Sequence, residues 1–285
     1  MNKVQTIVTN ALIERIEERR AAGHLAAPWR MTWSQGLGMP RNLVSEKPYR
    51  GFNLLVTAWS EYRSPFWVTF NQAKQLGGSV RKGEKSTPIV FWKFDPEGEK
   101  PPLCRYYRVF NAEQTEGLAE VQERKLVERL GKRKDVEPIA ECERVLRWKG
   151  RPPVKHGDSR AYYTPTSDVV SMPEPGAFES DRAYYLTRFH EEVHSTGHPR
   201  RLNREGVANP VRFGTHEYSV EELIAETGAS MLAAHCGIST EGLLDNSAAY
   251  LDSWLRRIKR DPGMLLESAR DAQRAVDHIL GVSFD

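Results

Sequence analysis

Residues 184–204 read YYLTRFHEEVHSTGHPRRLNR and place three histidines and two adjacent glutamates within nine positions. His190, Glu191 and His194 form HExxH. Residues four apart lie on one face of an α-helix, so two imidazoles at those positions can converge on one ion while the intervening glutamate projects beside it. That arrangement suits hydrolysis. A catalytic zinc takes three protein ligands and leaves one position for water. Water there has a pKa near 7, and a neighbouring carboxylate can take its proton. Glu191 is therefore the candidate general base, and Glu192 points elsewhere on the helix.

The third ligand must come from outside this stretch. A second helical segment, residues 219–237, begins SVEELIAE and offers Glu221, Glu222 and Glu226. A gluzincin arrangement asks for a ligand glutamate on that helix and an acid four residues later, which orients a ligand histidine from behind. Glu222 followed by Glu226 meets the spacing, with Glu226 the rival for the ligand position itself. Glu221 would put Ala225 in the orienting place. Ser219 and Glu222 also have the spacing of a helix-capping box. The metzincin pattern HExxHxxGxxH finds its glycine at Gly197 but Arg200 where its third histidine belongs. His198 is therefore expected to cap the helix or line the site, not to bind the ion. No spacing argument attaches to His216 or His235. Zn2+ is the expected cofactor, with another divalent ion such as Mn2+ left open.

The elements that must position these groups can be read from periodicity. DRAYYLTRFHEEVHSTG (181–197) reads as a helix closing at Gly197, and RAYYTPTSDVVSMP (160–173) as a strand pair before it. Helices are expected again at 247–261 and 263–281. In the first half, apolar residues at Val4, Ile7, Val8, Ala11, Leu12 and Ile16 predict a helix over 3–21. A helix over 51–62 follows, then a short extended entry and a helix ending at Gly77-Gly78. PIVFWKF and LCRYYRVFNA, aromatic and β-branched with a turn between, predict two antiparallel strands. Residues 118–150 are highly charged with sparse apolar residues at helical spacing, and the domain boundary is placed within them.

At 285 residues the chain has room for one large domain or two ordinary ones. Its 39% hydrophobic and 28% charged content is globular, and no apolar run approaches the roughly 18–20 residues that span a bilayer. The N-terminus lacks the apolar core of a secretory signal. Cys104, Cys142 and Cys236 are scattered with no CxxC pair, so a reducing cytoplasm is expected. The net charge of +3 is unevenly divided: residues 1–130 carry 20 Lys+Arg against 14 Asp+Glu. Five of the seven tryptophans lie there too. Cations interleaved with flat aromatic faces suit phosphates and unstacked bases, or alternatively a solvated basic face over an aromatic core.

With both halves in view, the chain resembles the ArdC-type antirestriction family of conjugative plasmids and other mobile elements. The resemblance rests on APWRMTW, NLVSEKPYRGFNLL, FWVTFNQAKQLGGSVRKGEKSTPIVFW and YYRVFNAEQTEG in the first half. In the second it rests on AYYTPTSDVVSMP, the HExxH stretch, YSVEELIAETGASML and AAYLDSWLRRI. It implies an α+β chain of two domains. Residues 1–125 would be a single-stranded-DNA-binding domain with a small antiparallel sheet, shared with certain plasmid primases. Residues 126–155 would be a linker, and residues 156–285 a mainly helical, zincin-like (gluzincin) metallopeptidase domain. By this likeness Trp29, Arg30, Tyr49, Arg50, Asn53, Trp67, Thr69, Gln72, Arg81, Lys82 and Lys85 are the candidate DNA contacts. The metal ligands would be His190, His194 and Glu222, with Glu226 behind them. Tyr162 or Tyr163 would stabilise an oxyanion. The implied partners are single-stranded DNA and a protein substrate in the host restriction machinery, with no membrane. A second reading keeps DNA binding and makes the zincin domain a metal-stabilised scaffold or docking module. A nuclease or primase accessory is weaker, since no aspartate cluster suits two-metal phosphoryl chemistry.

Overall fold

The computed structural model describes residues 3–21, 23, 39–58, 60, 62–93, 103–132, 138–209, 216–239 and 248–283. The chain divides into two units, and neither is a continuous stretch. The first holds most of the chain up to Lys134 together with Asn246–Leu266; the second holds Asp135–Asp245 and Glu267–Asp285.

The first unit opens with helix α1 (Lys3–Ala21). Val8, Leu12, Ile13 and Ile16 form its buried stripe, as the apolar spacing requires. Strand β1 (Arg41–Asn42), helix α2 (Gly51–Ala58), strand β2 (Phe66–Thr69), helix α3 (Phe70–Gln75) and strand β3 (Ser79–Val80) follow. The two long strands are β4 (Thr87–Lys93) and β5 (Leu103–Asn111), with short β6 (Thr115–Glu116) beyond them. The main sheet has the order β1-β2-β5-β4. Only the β1–β2 pairing in it is parallel. Leu43, Phe66, Val68, Ala73, Ala112 and Leu118 form a buried core against it. α2 is shorter than the sequence suggested, ending at Ala58. Helix α4 (Ala119–Lys132) also belongs here.

Helix α5 (Pro138–Val145) belongs to the second unit, whose sheet comprises β7 (Val154–His156), β8 (Tyr162–Thr164) and β9 (Val169–Met172). The order is β7-β9-β8, with β7–β9 parallel and β8–β9 antiparallel. The stretch 126–155, expected as a linker or boundary region, holds the end of α4, all of α5 and the start of β7, and the division between the units falls within it. Cys142, Val145, Leu146 and Trp148 are buried there, so a few apolar residues at helical spacing bury a face even in a charged segment.

Helix α6 (Asp181–Thr196) starts at Ser180, whose side chain accepts from the Ala183 N–H, and ends at Gly197. Helices α7 (Glu205–Ala208), α8 (His216–Cys236), α9 (Ala248–Arg260) and α10 (Gly263–Leu280) complete the order. α9 sits in the first unit, where Arg20 meets Asp252 at 2.7 Å and Lys259 pairs with Glu17. α8 spans His216–Cys236, so Ser219 stands inside the helix and not at its N-cap, where the sequence reading put it.

α6 and α8 pack closely because of one glycine. A Cβ on Gly228 would lie 2.8 Å and 2.9 Å from the two methyl carbons of Val193, which is fully buried. Gly228→Ala is expected to cost about 1–3 kcal/mol as an overpacking change, read as a lowered urea midpoint. Because Val193 precedes His194, the same variant should also weaken metal binding. An unchanged midpoint would mean that the helices separate freely.

Candidate metal centre and nucleic-acid surface

One turn of α6 brings His190 and His194 to the same side, and α8 brings Glu222 opposite them. The two Nε2 atoms are 3.1 Å apart. Glu222 Oε2 is 3.7 Å from His190 Nε2, and Oε1 is 3.6 Å from His194 Nε2. Ligand atoms held tetrahedrally at 2.0–2.1 Å from one ion lie about 3.4 Å apart, and these separations fall on either side of that spacing. The donor set of two imidazoles and a carboxylate suits a borderline divalent ion. Among the described residues these three are the ones that could hold a metal together.

The carboxylate behind the ligands differs from the expected one. Glu221 Oε1 stands 3.0 Å from His194 Nδ1, the place the sequence reading gave to Glu226. Glu226 lies one turn past Glu222 on α8, outside the metal cluster. Glu221 is in turn gripped by Arg204, whose Nε reaches Oε2 at 2.9 Å and whose Nη2 reaches Oε1 at 2.6 Å. The other Arg204 donors go to Thr196 Oγ1 at 2.7 Å and the Val193 carbonyl at 2.8 Å, both on α6. Arg204 and Glu221 are both buried. This is a charged, bidentate link from the loop after α6, through α8, to His194, a candidate ligand. Gly197 makes room for it: a Cβ there would lie 2.6 Å from Val207 and 3.0 Å from Arg204 Nη2. Its φ of −74° shows that close approach, not a left-handed turn, demands the glycine. Sequence reasoning weighed Glu221 only as a metal ligand and did not consider Arg204, because it looked for the orienting acid four residues after the ligand.

Burial opposes charge on both histidines. At His190 burial, then the charge of His194, hold the pKa well below the ordinary value. At His194 burial acts downward but is outweighed by the hydrogen bond and charge of Glu221, then by Glu222 and Glu191, and the pKa rises to about 9. The surrounding carboxylates thus favour positive charge on His194. Glu191 is also buried, and burial pushes its pKa upward, with Glu222 adding to the push. The Tyr163 backbone N–H donates to its carboxylate, tying it to strand β8. Glu192, fully buried, pairs with Arg188 and accepts the Trp148 indole N–H at 2.9 Å. It is part of the core.

A cleft of about 640 Å³ opens over these groups, bounded by β8, α7 and Tyr218 of α8. Tyr162 and Tyr163 border it, but their hydroxyls are engaged elsewhere. Tyr162 donates to Asp158 at 2.7 Å. Tyr163 donates to Asp168 at 2.8 Å and accepts from Arg201 at 3.1 Å. The contribution of Tyr163 visible in this geometry is its backbone N–H. His198 takes the Arg200 N–H on its Nδ1 at 3.2 Å, a local turn contact outside the metal cluster.

The eleven candidate DNA contacts divide sharply. Trp29 and Arg30 lie outside the described residues. Trp67 is fully buried and meets Tyr62 edge-on at 6.0 Å, so its ring has no face for a base, and the stacking reading is corrected. Thr69 and Gln72 cap α3: Thr69 Oγ1 accepts the Gln72 N–H, and Gln72 Oε1 accepts the Thr69 N–H. Asn53 spends its amide on the outer edge of β4, giving Nδ2–H to the Val90 carbonyl at 2.6 Å and accepting the Val90 N–H at 2.7 Å. These three are scaffold residues. Tyr49 is mostly enclosed, and burial raises its pKa to about 12. Arg50 is half-buried. Arg81, Lys82 and Lys85 are exposed, with Arg81 paired to Glu84 at 2.7 Å and Lys85 near Glu18 at 3.5 Å.

Residues 2–130 match the family described as the N-terminal domain of anti-restriction factor ArdC, and residues 140–271 match a zincin-like metallopeptidase family. Two DNA primases named TraC from Escherichia coli are 32% and 31% identical over 98% and 94% of this chain, which spans only 28% and 19% of their length. An uncharacterized protein of Sinorhizobium fredii is 33% identical over 95% of this chain and 89% of its own. Two crystal structures of the antirestriction protein ArdC from plasmid R388 superpose over nearly their whole length. The metal-free form has a TM-score of 0.69 at 35% identity, and the Mn(II)-bound form has a TM-score of 0.71 at 34% identity. With both halves matched in order along one chain, the protein belongs to the ArdC antirestriction family.

Proposed function

We propose that the first unit holds single-stranded DNA with little sequence preference and that the second is a metal-dependent peptidase, the two together protecting incoming mobile-element DNA from host restriction in the cytoplasm. The observation that carries the enzymatic half is the convergence of His190, His194 and Glu222 on one point beside a buried Glu191 in an open cleft. These residues fit a divalent ion, zinc or one such as Mn2+. When bound, such an ion supplies Lewis acidity toward a water and a peptide carbonyl. The chain's own residues do the rest. Glu191, made more basic by burial and aimed by the Tyr163 N–H, takes a proton from water on its carboxylate. Glu221 holds the His194 ring so that Nε2 faces His190 and Glu222, where it would hold an ion, and Arg204 holds Glu221. The substrate would be a protein of the host restriction machinery, lying along the β8 side of the cleft.

Glu191→Ala tests this. The variant is expected to retain metal content and oligonucleotide binding and to lose protection in a restriction assay on transferred DNA. Full protection by a metal-loaded Glu191→Ala protein would sink the hydrolytic account and leave DNA binding alone as the protective act.

A further inference from the structure

The hairpin of β4 and β5 carries an aromatic face that the candidate DNA contacts did not include. Its register sets Ile89 opposite Tyr107 and Phe91 opposite Arg105, so these four side chains share one face. Near the start of β4 that face is closed. Thr87 and Val109 are buried, and Arg15 of α1 reaches Thr87 Oγ1 at 3.2 Å. Further along the cover stops: Phe91 is 51% exposed and Tyr107 43%. Their rings stand edge to face with centroids 5.9 Å apart. Arg105, across from Phe91, is exposed as well. The exposed Phe70 of the same unit differs, since Lys74 covers its ring at 4.9 Å.

Charge selects the occupant. On this face the described charged side chain is Arg105; Arg108, opposite Pro88, lies on the other face with Tyr106, neither strand contains an acid, and residues 1–130 as a whole carry 20 Lys+Arg against 14 Asp+Glu. An aromatic face with an arginine in the same cross-strand row, on a unit with a basic excess, matches unstacked bases on a phosphate backbone. Duplex bases stay stacked on one another and cannot use such a face.

We infer that Phe91 and Tyr107 form a stacking platform for the bases of a single strand and that Arg105 meets its phosphates. This rests on the DNA-holding role proposed for the first unit and names where on that unit bases sit. The test uses the full chain and a fluorescent oligothymidylate, read by anisotropy. Phe91→Ala and Tyr107→Ala should each weaken binding about tenfold with the dependence on salt unchanged. Phe91→Trp and Tyr107→Phe, which keep a ring, should bind within about twofold of the parent. Arg105→Ala should reduce the salt slope by about one counterion. Tyr106→Ala, on the other face of the hairpin, should leave binding unchanged. If the parent binds and the two alanine variants bind equally well, the platform is wrong while the DNA-holding role stands. If the parent binds no single strand, that role falls and the platform with it. Equal affinity for duplex and single strand also overturns the platform.

Discussion

Arg204→Ala is expected to destabilise the second unit by about 3–5 kcal/mol, the usual cost of leaving one half of a buried ion pair without its partner. Arg204 and Glu221 have side chains only 7% and 6% exposed. Removing the guanidinium strands the carboxylate and takes one donor each from the Thr196 hydroxyl and the Val193 carbonyl, which stay hydrogen-bonded to each other. Urea unfolding of the metal-depleted protein measures this without a contribution from ligand binding. Arg204→Lys should fall between, because an ammonium cannot reproduce the two-pronged contact with Glu221. Both variants should also bind metal about 10–100-fold more weakly, since the carboxylate that orients His194 is no longer fixed. A loss of stability below about 1 kcal/mol for the alanine variant would mean that Glu221 needs no cationic partner and that the Arg204–Glu221–His194 link is incidental.

Glu222→Ala is expected to abolish stoichiometric metal binding. It removes one of three ligands, so its effect should exceed the roughly 10–100-fold that an outer carboxylate such as Glu221 commands. Metal content after dialysis and competition against a chromophoric chelator would rank the acids of α8. The expected order of damage is Glu222→Ala, then Glu221→Gln, then Glu226→Gln. The order follows from position: Glu222 faces both ligand nitrogens, Glu221 faces the far side of one imidazole, and Glu226 stands one turn farther along the helix. A Glu226→Gln protein that lost its metal as fully as Glu222→Ala would overturn the assignment of the third ligand.

The parts legible in the sequence were those governed by local periodicity. HExxH fixed two donors on one helix face, and the i, i+3, i+4 stripe in α1 fixed its buried side. The β4 and β5 strands announced themselves by alternation and a turn. Long-range pairing was not legible. Glu221 and Glu222 are adjacent in the chain and look equivalent, yet one faces the ion site and the other faces Nδ1 and Arg204, because the packing of α8 on α6 sets the rotation. That rotation depends on Gly228 against Val193, a contact no local pattern encodes. The tryptophans failed for a similar reason. Trp67 belongs to a strand buried on both faces, where every residue of FWV is enclosed, so alternation could not report its exposure. Phe91 and Tyr107 lie in strands that alternation did locate, but only the point where the cover of α1 stops reveals that their outer rings are bare.

The interleaving of the two units along the chain bears on how the protein is made. Residues 246–266 return to the first unit, bringing Trp254, Leu255 and Ile258 into its interior; residues after 267 return to the second, bringing Ala269, Ala272, Ala275, Val276 and Ile279. Synthesis runs from the N-terminus, so the segment 246–266 must emerge before the first core can close, and the segment from 267 before the second can. A product that stops early, near residue 240, lacks a wall of both units at once. Translation therefore completes the first and the second unit together or leaves both unfinished.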